Sequence, residues 1–181
     1  MPVCVNNIGT VLHNMGDHEG AKEHFERALK IDEKAFGPDH FNVANRLNNL
    51  GSVLQTMGDL KGAKECYERA LNIVEKLPTQ DPSKVAICVN NIGTILYDMG
   101  DFEGAKQRFE QALKIDEKAL GPDHPNVATD LGNLGSVLKD MGDLQGAKEH
   151  FERALTIFQN WLGEDHPDTK TVREKLEQLN R

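Results

Sequence analysis

Histidine and cysteine are the side chains here best suited to metal binding or nucleophilic chemistry, and their spacing argues against both. His24 and His150 occupy matching positions, and His40, His124 and His166 form a second series, one to each stretch of about 42 residues. Ligands spread in this way along a rising array do not converge on one ion, and a zinc site needs convergence. Cys4, Cys66 and Cys88 form no CxxC pair and have no His at ligand spacing, so they read as reduced thiols. The glycines lack the spacing and strand context of a phosphate loop, and no nucleophile, base and oxyanion donor fall together. The sequence therefore implies neither catalysis nor a cofactor. The polar feature that does recur is a double row of amides, Asn6 and Asn7, Asn48 and Asn49, Asn90 and Asn91, then Asn133, with Thr10, Ser52, Thr94 and Ser136 beside them. An Asn side chain offers one acceptor and two donors, so it can pair with both the C=O and the N–H of an extended peptide. Asn is also a mediocre helix former, so seven of them on helices call for a reason.

The elements that carry these rows follow from a repeat. Met-Gly-Asp recurs at Met15, Met57, Met99 and Met141, and Gly9, Gly51, Gly93 and Gly135 keep the same 42-residue interval. So do Ala21, Ala63, Ala105 and Ala147, then Ala28, Ala70, Ala112 and Ala154, and the aromatics Phe25, Tyr67, Phe109 and Phe151. Alternate stretches are more alike than adjacent ones, as in a duplicated pair, and consensus engineering would leave the same pattern. Within one stretch, Leu47, Leu50, Gly51 and Leu54 at i, i+3, i+4 and i+7 give a helix A from about Val43 to Thr56. Met57-Gly58-Asp59 breaks it, Gly as the left-handed stop and Asp as the next N-cap. Ala63, Tyr67, Ala70, Leu71 and Val74 then mark the apolar stripe of a helix B over about Leu60 to Lys76, with Glu65 and Arg69 placed for an exposed i,i+4 pair. Gly51, Ala63 and Ala70 imply close approach of two helix backbones. Turns such as Gly37-Pro38-Asp39-His40 and Gly121-Pro122-Asp123-His124-Pro125 stop one helix and start the next. The second stretch departs from this with Leu77-Pro78-Thr79-Gln80-Asp81-Pro82, whose path should differ while Asp81 still caps. The expected division is 1–41, 42–83, 84–125 and 126–167, four helix pairs, followed by a capping helix in 168–181 with Val172, Leu176 and Leu179 as its apolar side.

Composition agrees with an all-α, soluble chain: 38% hydrophobic, 28% charged and only 6% aromatic. The net charge of -8, with no basic stripe, excludes general attraction to nucleic acid or to an anionic membrane face. There is no long apolar run and no N-terminal signal pattern, so the expected location is cytoplasmic. Met1-Pro2 stands where later stretches have Val-Ala, which suggests a fragment of a longer chain. The Val3, Val5, Ile8 and Val11 region would then expose apolar surface and support weak self-association.

The pattern Leu50-Gly51, Leu54, Gly58, Ala63, Tyr67, Ala70 resembles the tetratricopeptide signature over nearly the whole chain. The family unit is about 34 residues; the longer unit here resembles the 42-residue subtype of kinesin light chains. The resemblance implies a right-handed α-solenoid whose concave groove is lined by the A helices, with the Asn rows facing that groove. It implies a protein-interaction module that takes an extended peptide or partner helix, not an enzyme. Residues that differ among the A helices would set specificity: Val3, His13 and Asn14; Asn45, Gln55 and Thr56; Ile87, Tyr97 and Asp98; Thr129, Lys139 and Asp140. Tyr97 is the candidate anchor, since aromatics dominate binding hot spots. Relatives that clamp acidic chaperone tails use Lys and Arg where this stripe has Asn and Gly, which disfavours that ligand. Two alternatives are a sensor segment of a larger signalling ATPase and a designed or purely structural repeat.

Overall fold

The computed structural model describes residues 2–77 and 81–179, with the side chains of Pro2 and Val3 outside that description. The divergent path expected at Pro78-Thr79-Gln80, and the expectations that rest on the Val3 side chain, on Met1 and on the last two residues, lie outside the described residues. Among the described residues nine helices follow one another: α1 (Pro2–Asn14), α2 (His18–Phe36), α3 (Phe41–Thr56), α4 (Leu60–Lys76), α5 (Pro82–Asp98), α6 (Phe102–Leu120), α7 (Pro125–Asp140), α8 (Leu144–Leu162) and α9 (Pro167–Leu179). The described residues contain no strand. They gather into two compact units, Met1–Ile95 and Leu96–Arg181, with the boundary inside α5.

Local chemistry sets the helix ends. The Asp59 carboxylate accepts the Gly62 N–H at 3.0 Å at the start of α4, and Asp17, Asp101 and Asp143 do the same for Gly20, Gly104 and Gly146. Gly58 supplies the turn between α3 and α4 at φ 83°, a left-handed conformation that an L side chain would strain. The turn histidines start α3, α7 and α9: Nδ1 of His40 accepts the Asn42 N–H at 3.1 Å, and His124 and His166 do the same for Asn126 and Asp168. Their recurrence is thus a capping pattern. Asp81 caps α5 through the Ser83 N–H at 3.2 Å.

In the first unit, Val43, Ala44 and Leu47 of α3 pack with Ala70, Ile73 and Val74 of α4 and with Cys88 of α5. In the second, Leu131, Leu134 and Leu138 of α7 pack with Phe151, Ala154 and Phe158 of α8. Each large aliphatic side chain fully buried this way contributes roughly 1.5–3 kcal/mol. The close approach expected at Gly51 is made by a ring, not by a second backbone: a Cβ at Gly51 would stand 2.8 Å from Tyr67 Cε1, and one at Gly135 would stand 2.8 Å from Phe151 Cε1. Ala63 and Ala70 are fully buried, so their small size is used as expected.

Ion pairs also join neighbouring helices. Arg69 does not pair with Glu65. Its Nη2 lies 2.5 Å from Glu33 Oε1 on α2, because the guanidinium reaches the preceding long helix, and Arg153 repeats this with Glu117 at 2.7 Å. In the first unit Arg46 of α3 also donates through Nε to Asp32 of α2 at 2.8 Å, with both side chains buried. The residues 84 positions on are Asp116 and Asp130, both buried. The second unit therefore carries a second acid where the first carries a base. α9 buries Val172 and packs Leu176 and Leu179 on the core of the second unit. Its other side carries Lys170, Arg173 and Glu177 in register with Ala128, Leu131 and Gly135 of α7.

Candidate functional site

The amide rows fall on α1, α3, α5 and α7, and the structure divides their labour. In the first unit, Asn49 Nδ2 donates to Asn6 Oδ1 at 2.8 Å, which joins α3 to α1 by a side-chain rung. Asn6 is buried by this contact, whereas Asn7 and Ser52 are exposed and Asn49 and Asn91 half-buried. The rung uses one donor of Asn49 and one acceptor of Asn6. Asn48 lies with its Nδ2 3.6 Å from Cys88 Sγ. Burial raises the Cys88 thiol above its ordinary value, so the sulfur stays a neutral partner. Asn90 and Thr94 of α5 and Asn133 of α7 are half-buried. The hydroxyls are partly committed to their own helices: Thr10 donates to the Asn6 carbonyl at 3.3 Å, Thr94 to Asn90 at 3.2 Å and Ser136 to Gly132 at 2.8 Å.

Around the rung in the first unit lies a cavity of about 440 Å³. Asn6, Asn45, Asn48 and Asn49 supply amides, Ile87 and Phe41 apolar surface, and Arg46 and Lys84 the charge. No carboxylate is among its lining residues. Lys84 Nζ stands 4.0 Å over the Phe41 ring and 3.3 Å from Asp81 Oδ2. Sequence reasoning overlooked Arg46, because the 42-residue comparison places it opposite cysteines, and comparison across unlike residues gave it no weight.

The second unit offers a different surface. A cavity of about 290 Å³ is lined by Tyr97, Ser136, Lys139, Asp140 and Lys175, among others. Tyr97, the expected anchor, is half-buried: its hydroxyl donates to Asp140 and its ring lies 5.6 Å from Phe102. The Asp140 hydrogen bond, with burial added, holds its phenol up at about 12. Lys175 of α9 donates to Ser136 Oγ at 2.9 Å, and burial and the neighbouring Lys139 lower its ammonium from the usual value. Lys175 follows Asn133 by 42 residues, so it continues the amide row. Carrying the comparison into the last helix would have found it.

Comparison with known proteins gives the class to which this fold belongs. The family model described as tetratricopeptide repeat matches residues 3–76, 85–160 and 131–181. The chain belongs to the tetratricopeptide repeat family, an all-α fold of the helical-solenoid class whose members are generally protein-interaction scaffolds. No catalytic family is indicated. Among solved structures, a putative kinesin light chain of Podosopora anserina with nearly identical TPR-like repeats is 21% identical, with TM-score 0.79, covering 99% of this chain and 86% of that one. RapI in its apo form is 17% identical, with TM-score 0.85, covering 99% of this chain and 62% of its own. BtubC (BKLC) from P. vanneervenii is 23% identical, with TM-score 0.72, and the chain covers 63% of its length. At these identities the likeness is one of fold. No curated protein matches the sequence. Among the described residues, no helix is long and apolar enough to cross a membrane.

Proposed function

We propose that the chain is a protein-interaction module whose amide-bearing helices, α1, α3 and α5 in the first unit and α7 in the second, take extended peptide. The observation that supports this best is the 440 Å³ cavity of the first unit, where four Asn side chains surround space open to a ligand. Amides on successive helices suit a peptide main chain, whose C=O and N–H groups recur regardless of sequence. Tyr97, with its hydroxyl held by Asp140, contributes ring surface in a fixed orientation. In this reading the repeats divide as 1–41, 42–83, 84–125 and 126–167, and 168–181 closes the array. The ligand is a protein segment, with no part for nucleic acid or membrane, and the setting is cytoplasmic. A peptide-array screen of the wild type beside an Asn49→Ala, Asn91→Ala double variant tests the reading. Ligands should bind the wild type and lose most of their affinity for the variant while its helical circular dichroism is kept. Equal binding to both would refute the amide grip. We also infer weak self-association through α1, whose Ile8 and Val11 are exposed. A light-scattering mass that stays monomeric at high concentration would overturn this.

A further inference from the structure

Two histidines, His13 and His18, fall outside the repeated histidine series, and the fold brings them together. His13 lies in the last turn of α1 and His18 is the first residue of α2, and their Nδ1 atoms stand 3.3 Å apart across the turn between those helices. The ring centroids are 5.1 Å apart and the planes are inclined by 56°. The other histidines spend Nδ1 on backbone: His24 and His150 on the Gly20 and Gly146 carbonyls, and His40, His124 and His166 on the N–H groups that start helices. Two facing imidazole nitrogens need either one bridging proton or a shared cation, because two bare lone pairs repel. The ring positions favour the cation. Two nitrogens bound to zinc at about 2.0–2.1 Å and at a tetrahedral angle stand about 3.3–3.4 Å apart, and rings radiating from that common point have centres about 5 Å apart. A head-on N–H···N bond of the same length would set the centres about 5.6 Å apart instead.

We propose that His13 and His18 form a zinc site that clips the end of α1 to the start of α2. Imidazole is a ligand zinc prefers, and both rings bind as neutral ligands through Nδ1 with their protons on Nε2. Among the described residues no group of three or more His, Cys, Asp or Glu gathers as a metal site, and the Asp17 carboxylate beside the pair already caps Gly20. The chain therefore supplies two ligands and water completes the tetrahedron, as in an open rather than a closed zinc site. The matching residues of the later turns are Gln55 and Leu60, Tyr97 and Phe102, and Lys139 and Leu144, so the nitrogen pair belongs to the first turn alone. Zinc that binds the folded turn and not the unfolded chain stabilises the fold by mass action.

The probe is zinc chloride, added to the untagged chain in a buffer that does not chelate. Calorimetry reads the affinity, and long-range ¹H–¹⁵N correlation of the imidazoles reads which histidines respond. One equivalent of zinc should move the His13 and His18 rings first, leave the other histidines in place and raise the thermal midpoint. The control comes from the chain itself: H13Y with H18F installs the pair that Tyr97 and Phe102 form between α5 and α6, with ring centroids 5.6 Å apart, so a ring contact is kept while both nitrogens go. That variant should keep its helical circular dichroism and bind zinc at least about tenfold more weakly. H13Q, which places at position 13 the residue type of Gln55, removes one ligand and should show the same loss independently. Zinc affinity kept in these variants overturns the site. So does a titration in which all the histidines move together, which marks an adventitious ion only. No heat and no ring shift in excess zinc also overturns it, and leaves a proton shared between the two rings.

Discussion

Replacing Arg46 by Met keeps roughly the length of the Cβ-to-Nε stem and removes the guanidinium, leaving the Asp32 carboxylate inside the first unit without its partner. The Asp32 side chain is 0% exposed and Arg46 10% exposed, so water screens the pair little. Asp32 Oδ1 already lacks a hydrogen-bond partner among the described residues, and the variant would orphan Oδ2 as well. Breaking a buried pair from one side costs about 3–5 kcal/mol, because an uncompensated charge stays buried, whereas replacing both partners by apolar residues is often close to neutral. Urea unfolding followed by far-ultraviolet circular dichroism reads the loss, and hydrogen exchange on α2 and α3 localises it. We expect R46M to lose roughly 3–5 kcal/mol and the D32L, R46M double variant to recover most of it. A single-variant loss of under about 1 kcal/mol, typical of an exposed pair, would refute the argument. So would a double variant as unstable as the sum of its singles.

Other substitutions probe the remaining structural claims. G135A pushes a methyl group against the Phe151 ring and should cost about 1–3 kcal/mol by overpacking, read from Trp161 fluorescence during unfolding. D59A removes the α4 cap and should cost about 1 kcal/mol, with faster hydrogen exchange confined to the first turn of α4. Burial holds the Asp116 carboxyl above the usual carboxylate range, so the folded chain binds that proton more tightly than the unfolded chain does. Stability should therefore fall as pH rises from the ordinary carboxylate value through the raised one. D116N should raise the thermal midpoint at pH 8, and the gain should vanish towards pH 4; a gain that does not change with pH contradicts this.

The fold was legible because its signals repeat and act locally. Met57-Gly58-Asp59 specifies a stop, a left-handed turn and a cap within three residues, and the α4 bounds expected from it match the structure. Gly51 was legible as a site of close approach, although which group approaches depends on the Tyr67 rotamer, which a sequence does not state. Long flexible side chains were least legible: Arg69 has several acids within reach, and the helix packing that brings Glu33 closer than Glu65 lies outside helical periodicity. For the candidate site, the amide rows stood out as a repeated pattern, but the Asn6–Asn49 rung joins residues 43 apart and depends on how two helices settle together. Arg46 and Lys175 escaped notice because each breaks the repeat at its own position. In an array built from copies, the residues that depart from the pattern are the ones that give each surface its own character.

The charged side of α9 also restricts how such a gene can lengthen. A further helix pair laid against that side would have to cover Lys170, Arg173 and Glu177, where α7 has Ala128, Leu131 and Gly135 at the matching positions. Unequal crossing-over that copies whole units would then yield foldable offspring when the new copy enters ahead of α9. Copies placed beyond it would have to desolvate three ions. Selection on such chains should let α9 diverge from the helices it resembles while they continue to exchange sequence.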